Sequence, residues 1–242
     1  MTQRKFMTIY EALRSDILNT KLKYGEQLPS ENELVQTYQS SRETVRKALN
    51  LLVSEGMIQK IRGKGSIVIY QNITEFPFAD LISFKEVQQT LGLQHETEVK
   101  LLEKIQASEI PVVKKALNLK QSTWLWHVIR VRKINGKVKI IDEDYLDASI
   151  VPDLNETIAQ DSLYHYIEQV LHLEISYSKK SITFEPFDQL EYDIFEDYDV
   201  PYVATVRGIV HLEDTTRFQY NISKHIATEF KFNDFSRRYK KK

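Results

Sequence analysis

Leu28-Pro29-Ser30-Glu31-Asn32-Glu33-Leu34, Ser41-Arg42-Glu43-Thr44-Val45-Arg46-Lys47-Ala48-Leu49 and Met57-Ile58-Gln59-Lys60-Ile61-Arg62-Gly63-Lys64-Gly65-Ser66-Ile67-Val68 follow one another closely, and their reading decides the fold of residues 1–70. Ser30 stands three residues before Glu33. At that spacing each side chain satisfies the other residue's free backbone N–H, so a short helix opens there and runs to Tyr38. Ser40 with Glu43 repeats the spacing and opens a helix whose apolar stripe is Val45, Ala48, Leu49, Leu52 and Val53. Gly56 suits its left-handed exit. Upstream, Thr8 with Glu11 marks another helix start, with Ile9, Leu13, Ile17 and Leu18 on one face before Gly25 breaks the chain. Downstream, two short strands flank a basic, glycine-rich tip. Three short helices and a hairpin make a winged helix-turn-helix.

In such a domain the third helix enters the major groove of DNA with its first residues near base edges. Arg42 and Arg46 are four apart, one above the other beside the apolar stripe, and Glu43, Lys47 and Asn50 continue that polar flank. An arginine grips guanine O6 and N7 with two hydrogen bonds. The competing reading is a solvated flank held by Glu43–Lys47 pairing. The helix spacing and the basic wing favour DNA. The Gly63-Lys64-Gly65 tip lacks both phosphate-binding glycine patterns and ends a hairpin instead of opening a helix, so a wing on DNA is the better reading.

Charge agrees. Residues 1–70 carry 11 Lys+Arg against 7 Asp+Glu, residues 71–236 carry 17 against 27, and Arg237 to Lys242 add five positive charges. The net −1 hides a basic head on an acidic body, which points to an anionic partner for the head. At 242 residues, 42% hydrophobic and 28% charged, the chain fits one large or two modest globular domains and not a disordered scaffold. No run approaches the roughly 18 uncharged apolar residues of a membrane span. The start, Met1 to Phe6, has no apolar core behind it, so no signal peptide, no membrane partner and a cytoplasmic location are expected. With no cysteine, disulfides, thiol nucleophiles and cysteine metal sites are excluded.

The ordered run from Leu28 to Val68 resembles the GntR family of bacterial regulators. That resemblance implies DNA contacts at Ser30, Asn32, Ser41, Arg42, Thr44, Arg46 and Lys47. It also implies a wing tip of Arg62, Gly63 and Lys64 that reaches the minor groove. Some members carry an arginine where this chain has Asn32.

Residues 71–78, with Pro77 and no helical period, read as a linker to a body over 79–242. Helix and strand signals mix there without βαβ repetition. Helices are expected from Ser83 to near Gly92, over 110–119, and from Asp161 or Ser162 with Leu163, Ile167, Val170 and Leu171 on one face. Strands are expected over 124–134, 137–146, 175–184, 202–212 and 217–226. The class is α+β with an antiparallel sheet.

One expected hairpin carries chemistry. Trp124, Trp126, Val128, Arg130 and Arg132 share a strand face, and two arginines on an otherwise apolar face are costly to bury without an anion. Paired guanidinium forks match phosphate or carboxylate. The competing reading is a surface strand end whose arginines pair with Asp142, Glu143 or Asp144. A two-residue Asn135-Gly136 turn pairs Arg130 with Ile141 and puts Glu143 and Tyr145 on the arginine face. A three-residue bulged loop pairs Arg130 with Ile140 and puts Asp142 and Asp144 there. Spacing alone leaves both open.

Leu81 to Glu86, Arg130 to Gly136, Asp142 to Leu146 and Ser162-Leu163-Tyr164 extend the resemblance to the effector domain of the family's HutC branch, the UTRA type with the chorismate-lyase fold. The resemblance implies phosphate binding through Ser83, Arg130 and Arg132, beside Phe84, and sugar hydroxyls on Asp142 with Gln219 and Tyr220 closing the pocket. It thereby favours the bulged loop. The branch usually has glutamate at the Asp142 position and again at Gln219, and a later arginine falls near Lys224–His225. Other runs, Ile140 to Leu146 and Leu212 to Tyr220 among them, are similar to a sugar-responsive member of the branch. That likeness implies trehalose 6-phosphate as inducer. A single head offers few base contacts, so a palindromic operator and a homodimer are expected, with no cofactor.

Two other readings compete: the same architecture sensing another sugar phosphate or metabolite, and a chorismate-lyase-type enzyme with a DNA-binding head. For the enzyme, Asp142 and Asp144 would be an acid–base pair or a D-x-D metal site. No nucleophile–base motif accompanies them, so no catalytic residue is assigned. The six histidines lack metal-ligand spacing. Glu191, Asp193, Glu196, Asp197 and Asp199 read as a solvated helix flank.

Overall fold

The computed structural model describes residues 2–70, 95–196, 198–232 and 238. They fall in two compact units, residues 2–70 with Arg238 in one and 95–196 with 198–232 in the other. The expected linker over 71–78 and the expected helix carrying Ser83 and Phe84 lie outside the described residues.

The first unit contains α1 (Thr2–Leu18), α2 (Glu31–Thr37), α3 (Arg42–Ser54), β1 (Ile58–Ile61) and β2 (Gly65–Val68). α1 begins before Thr8, because no glycine or proline interrupts residues 2–8; the expected cap lies inside the helix. Ser30 and Glu33 form the expected capping box. α3 is capped by Ser41 and not by Ser40: Ser41 Oγ accepts from the Thr44 N–H at 3.2 Å. The Ser40 N–H is still bound to the Val35 carbonyl at the end of α2, which holds Ser40 out of the cap position. Ile9, Leu13 and Ile17 of α1 pack with Leu34, Val45, Leu49, Leu52 and Ile58 in one core. Each such side chain contributes about 1.5–3 kcal/mol on full burial. β1 and β2 pair antiparallel around Arg62 to Lys64, with Gly63 at φ +80°, a value open to glycine.

The second unit is a six-stranded antiparallel sheet, ordered β3-β4-β5-β8-β7-β6. Its strands are β3 (His95–Gln106), β4 (Trp124–Ile134), β5 (Lys137–Asp147), β6 (Ile175–Pro186), β7 (Tyr202–Leu212) and β8 (Arg217–Ile226). Five of them match the expected strands to within a residue or two. β3 does not appear among the expectations. As an edge strand rich in Glu, Lys and Leu, it carries helix-favouring residues that pairing with β4 overrides.

Short helices cover both faces. α5 (Glu156–Asp161) and α6 (Leu163–His165), which runs into a π-helical turn at Tyr166–Val170, close one core with Val128, Leu146, Val210 and Phe218. Ser162 caps α6 as expected, while α5 was not foreseen. On the reverse face α4 (Pro111–Leu117) packs on Leu125, Tyr145 and Tyr220, and α7 (Gln189–Ile194) lies with Ile141, Phe187 and Val203.

Candidate functional site

Two groups of residues carry the chemistry, one in each unit. In the first, the helix spacing leaves Arg42, Arg46, Lys47 and Asn50 exposed on α3 while Val45, Ala48 and Leu49 are buried. Arg46 Nε donates to Glu31 Oε2 at 2.8 Å, and Lys47 pairs loosely with Glu43 at 3.6 Å. Exposed Asn32, Arg62, Gly63 and Lys64 complete the polar surface. The hydroxyl oxygens of Ser30 and Ser41 also accept the capping N–H groups of Glu33 and Thr44. Thr44 is a correction: it is 4% exposed and its hydroxyl bonds Ser41 Oγ at 2.8 Å, so it braces the helix start and is not presented outward.

In the second, the β4–β5 turn decides everything. Asn135 (φ +52°) and Gly136 (φ +77°) are both left-handed, which defines a two-residue type I′ turn. Ile134 then faces Lys137 and Lys133 faces Val138, but Arg132 faces Ile140. Lys139 is therefore an extra residue, and Arg130 lies opposite Asp142, not Ile140 or Ile141. The turn is the one that placed Glu143 and Tyr145 beside the arginines, yet the bulge at Lys139 restores Asp142 and Asp144 to that face.

The result is a buried ionic cluster. Arg130 and Arg132 are 6% and 4% exposed, and Asp144 has no exposed surface. Arg130 Nη2 donates to Asp144 Oδ2 at 2.5 Å, and Arg132 Nε to Asp142 Oδ2 at 2.9 Å. Asp144 Oδ1 also accepts from Gln219 and Asn221, and Asp142 Oδ1 from the Ser223 hydroxyl. Arg132 reaches Thr97 on β3. The competing reading was half right: the arginines do pair with Asp142 and Asp144, but in the interior.

Burial works against the Asp142 charge, yet Arg132 and Arg130 outweigh it and hold the carboxyl below its ordinary value. Burial, reinforced by Arg130, pulls Arg132 down to about 10, which leaves it cationic at neutral pH. Burial, then Asp144, pushes the Tyr164 phenol up, so it stays a neutral donor. Within the cluster, Arg130 Nε and Gln219 Oε1 are buried without a hydrogen-bond partner.

Gln219 joins the cluster through its bond to Asp144. Tyr220 does not, because strand side chains alternate: it faces Tyr145 and packs under α4 on the reverse face. The expected solvated flank also fails at Glu191, which is 1% exposed and bound to Lys224. Sequence reasoning missed Asn221 and Ser223, whose signal is their alternation with Gln219 along β8, and Thr97, whose strand was not foreseen. Among the described residues no cluster of His, Asp and Glu is arranged to hold a metal.

A winged head with an exposed basic helix, joined to a body that buries an anion-suited cluster, defines a ligand-responsive transcriptional regulator. The chain belongs to the gntR family of bacterial regulatory proteins, whose domain matches residues 6–68, followed by a UTRA domain over residues 90–231. It is 43% identical to the HTH-type transcriptional regulator TreR of Bacillus subtilis, over 99% of this chain and 100% of that protein. The solved effector-binding domain of the B. subtilis trehalose repressor is 38% identical, with a TM-score of 0.54 over 60% of this chain and 99% of its own. The fold is shared with B. subtilis YydK, a possible transcriptional regulator, at a TM-score of 0.80 and 24% identity over 96% of this chain and 99% of that one. The relatives are regulators, and this chain is a transcriptional regulator and not an enzyme.

Proposed function

We propose that the chain represses genes of trehalose uptake and use, binding a palindromic operator as a cytoplasmic homodimer and leaving it when trehalose 6-phosphate binds. The observation that carries the proposal is the buried Arg130–Arg132 pair, set in an effector domain 38% identical to that of a trehalose repressor. In this reading the two arginines exchange carboxylate partners for the phosphate, whose paired oxygens match the planar guanidinium forks. Ser83, with Phe84 next to it, adds to phosphate binding, and Asp142 and Gln219 accept or donate to sugar hydroxyls. Arg42 and Arg46 read bases, Asn32, Ser30, Ser41 and Lys47 face the backbone, and the wing of Arg62, Gly63 and Lys64 enters the minor groove. Residues 1–70 form the DNA-binding domain, 71–78 the linker and 79–242 the effector and dimerisation domain.

Thermal-shift titration of the full chain tests the inducer. Trehalose 6-phosphate should raise the melting temperature where trehalose does so only at far higher concentration, since charge-assisted bonds are roughly twice as strong as neutral ones. Arg130→Ala leaves Asp144 buried without its cation and lowers the melting temperature, but below that temperature operator binding should persist while the ligand-induced shift is lost. A shift with another sugar phosphate alone would reassign the inducer and leave the regulator intact.

A further inference from the structure

Glu31 is the first residue of α2, and its carboxylate lies between two elements assigned here to DNA. Its Oε2 accepts from Arg46 Nε of α3 at 2.8 Å, and its Oε1 is 3.9 Å from Lys60 Nζ of β1. Lys60 in turn donates to Asn50 Oδ1 on α3 at 2.9 Å. One acid thus links α2, the recognition helix and the wing. A carboxylate on a surface meant for phosphates is an electrostatic penalty, because it opposes the cationic contacts that supply affinity for any duplex. As an exposed ion pair it stabilises the fold little.

We infer that Glu31 is a positioning residue that sets base specificity through Arg46. Arg46 is long, and its side chain is 62% exposed. Bound at Nε, the guanidinium keeps its two Nη groups side by side at its far end. That is the pair that matches guanine O6 and N7. Holding the fork before DNA arrives also removes rotamer freedom that would otherwise be lost on binding. Glu31 therefore trades general affinity for discrimination: it weakens attraction to any phosphate backbone and strengthens one base contact. The inference rests on the DNA reading above.

The experiment selects duplexes from a random pool with the full-length wild-type chain. It then measures binding of the selected and a random duplex across salt for wild type, Glu31→Gln, Arg46→Ala and the double variant. Glu31→Gln should lose about tenfold in affinity for the selected duplex, the scale of one guided base contact, while its affinity for the random duplex stays level or rises. Its preference should flatten at the base where that of Arg46→Ala flattens, and the double variant should bind no worse than Arg46→Ala. Unchanged base preference, or losses that simply add, would overturn the inference while leaving DNA binding intact. A wild-type chain that enriches no sequence overturns both. Thermal unfolding reports the fold; should Glu31→Gln not fold, Glu31→Asp is read in the same way, since it keeps the charge at the helix start but draws the carboxylate back by one methylene.

Discussion

Asp144 has no exposed surface and answers Arg130, Gln219 and Asn221 at once. Removing its charge while keeping its shape isolates a buried guanidinium. Asp144→Asn should therefore cost about 3–5 kcal/mol, read as a lower urea midpoint, because breaking one half of a buried pair leaves the other half uncompensated. A loss below about 1 kcal/mol would mean that water already reaches the cluster. His225 makes a separate prediction. Its ring lies within hydrogen-bond reach of Ser223, and burial pulls it down to about 4 from an ordinary 6.5. The unfolded chain thus takes up a proton near pH 6.5 that the folded chain refuses until about pH 4. Stability should fall across that window as pH drops, by about 3 kcal/mol at roughly 1.4 kcal/mol per pH unit. His225→Asn should flatten the melting temperature between those values. A wild-type curve already flat there would refute the buried, neutral histidine.

At the scale of elements, α3 depends on its first turn. Ser41 caps the Thr44 N–H, so Ser41→Ala should destabilise the head by about 1 kcal/mol, seen as earlier loss of helical circular dichroism on heating. Ser40→Ala should be milder, since Ser40 does not cap. Element placement was legible where periodicity was strong: the apolar stripe of α3 follows the helical period, and Trp124 to Ile134 alternates as β4. It was not legible where composition and environment conflict. β3 is absent from the expected strands because its residues favour helices, and only its partner β4 makes it a strand. Glu191 reads as solvent-facing until Lys224 of β8 is brought beneath it.

At the scale of the molecule, induction requires only that the effector prefer the form that binds DNA poorly. The coupling is then reciprocal: operator DNA must weaken effector binding by the same factor by which effector weakens operator binding. Titrating trehalose 6-phosphate with and without operator checks this, and equal affinities would remove the allosteric account. In the proposed dimer, two heads on one palindrome would put half-sites about 34 Å apart, or a multiple of that. Sedimentation of the full chain at micromolar concentration should show a dimer.

The sequence by itself determined the two-part organisation, the winged head, five of the six strands of the sheet and the candidate arginines. Those follow from local spacing: caps at three residues, apolar stripes at the helical period, and alternation at two. Tertiary structure decided which acids meet the arginines. The turn type set by Asn135-Gly136 sends Asp142 away from them, and the single extra residue Lys139 brings it back. A shift of one residue reverses every side chain on a strand, and whether a bulge absorbs it depends on the packing of both faces at once. The same alternation removed Tyr220 from the cluster and admitted Asn221 and Ser223, because facing is a property of the paired sheet, not of a residue's chemistry.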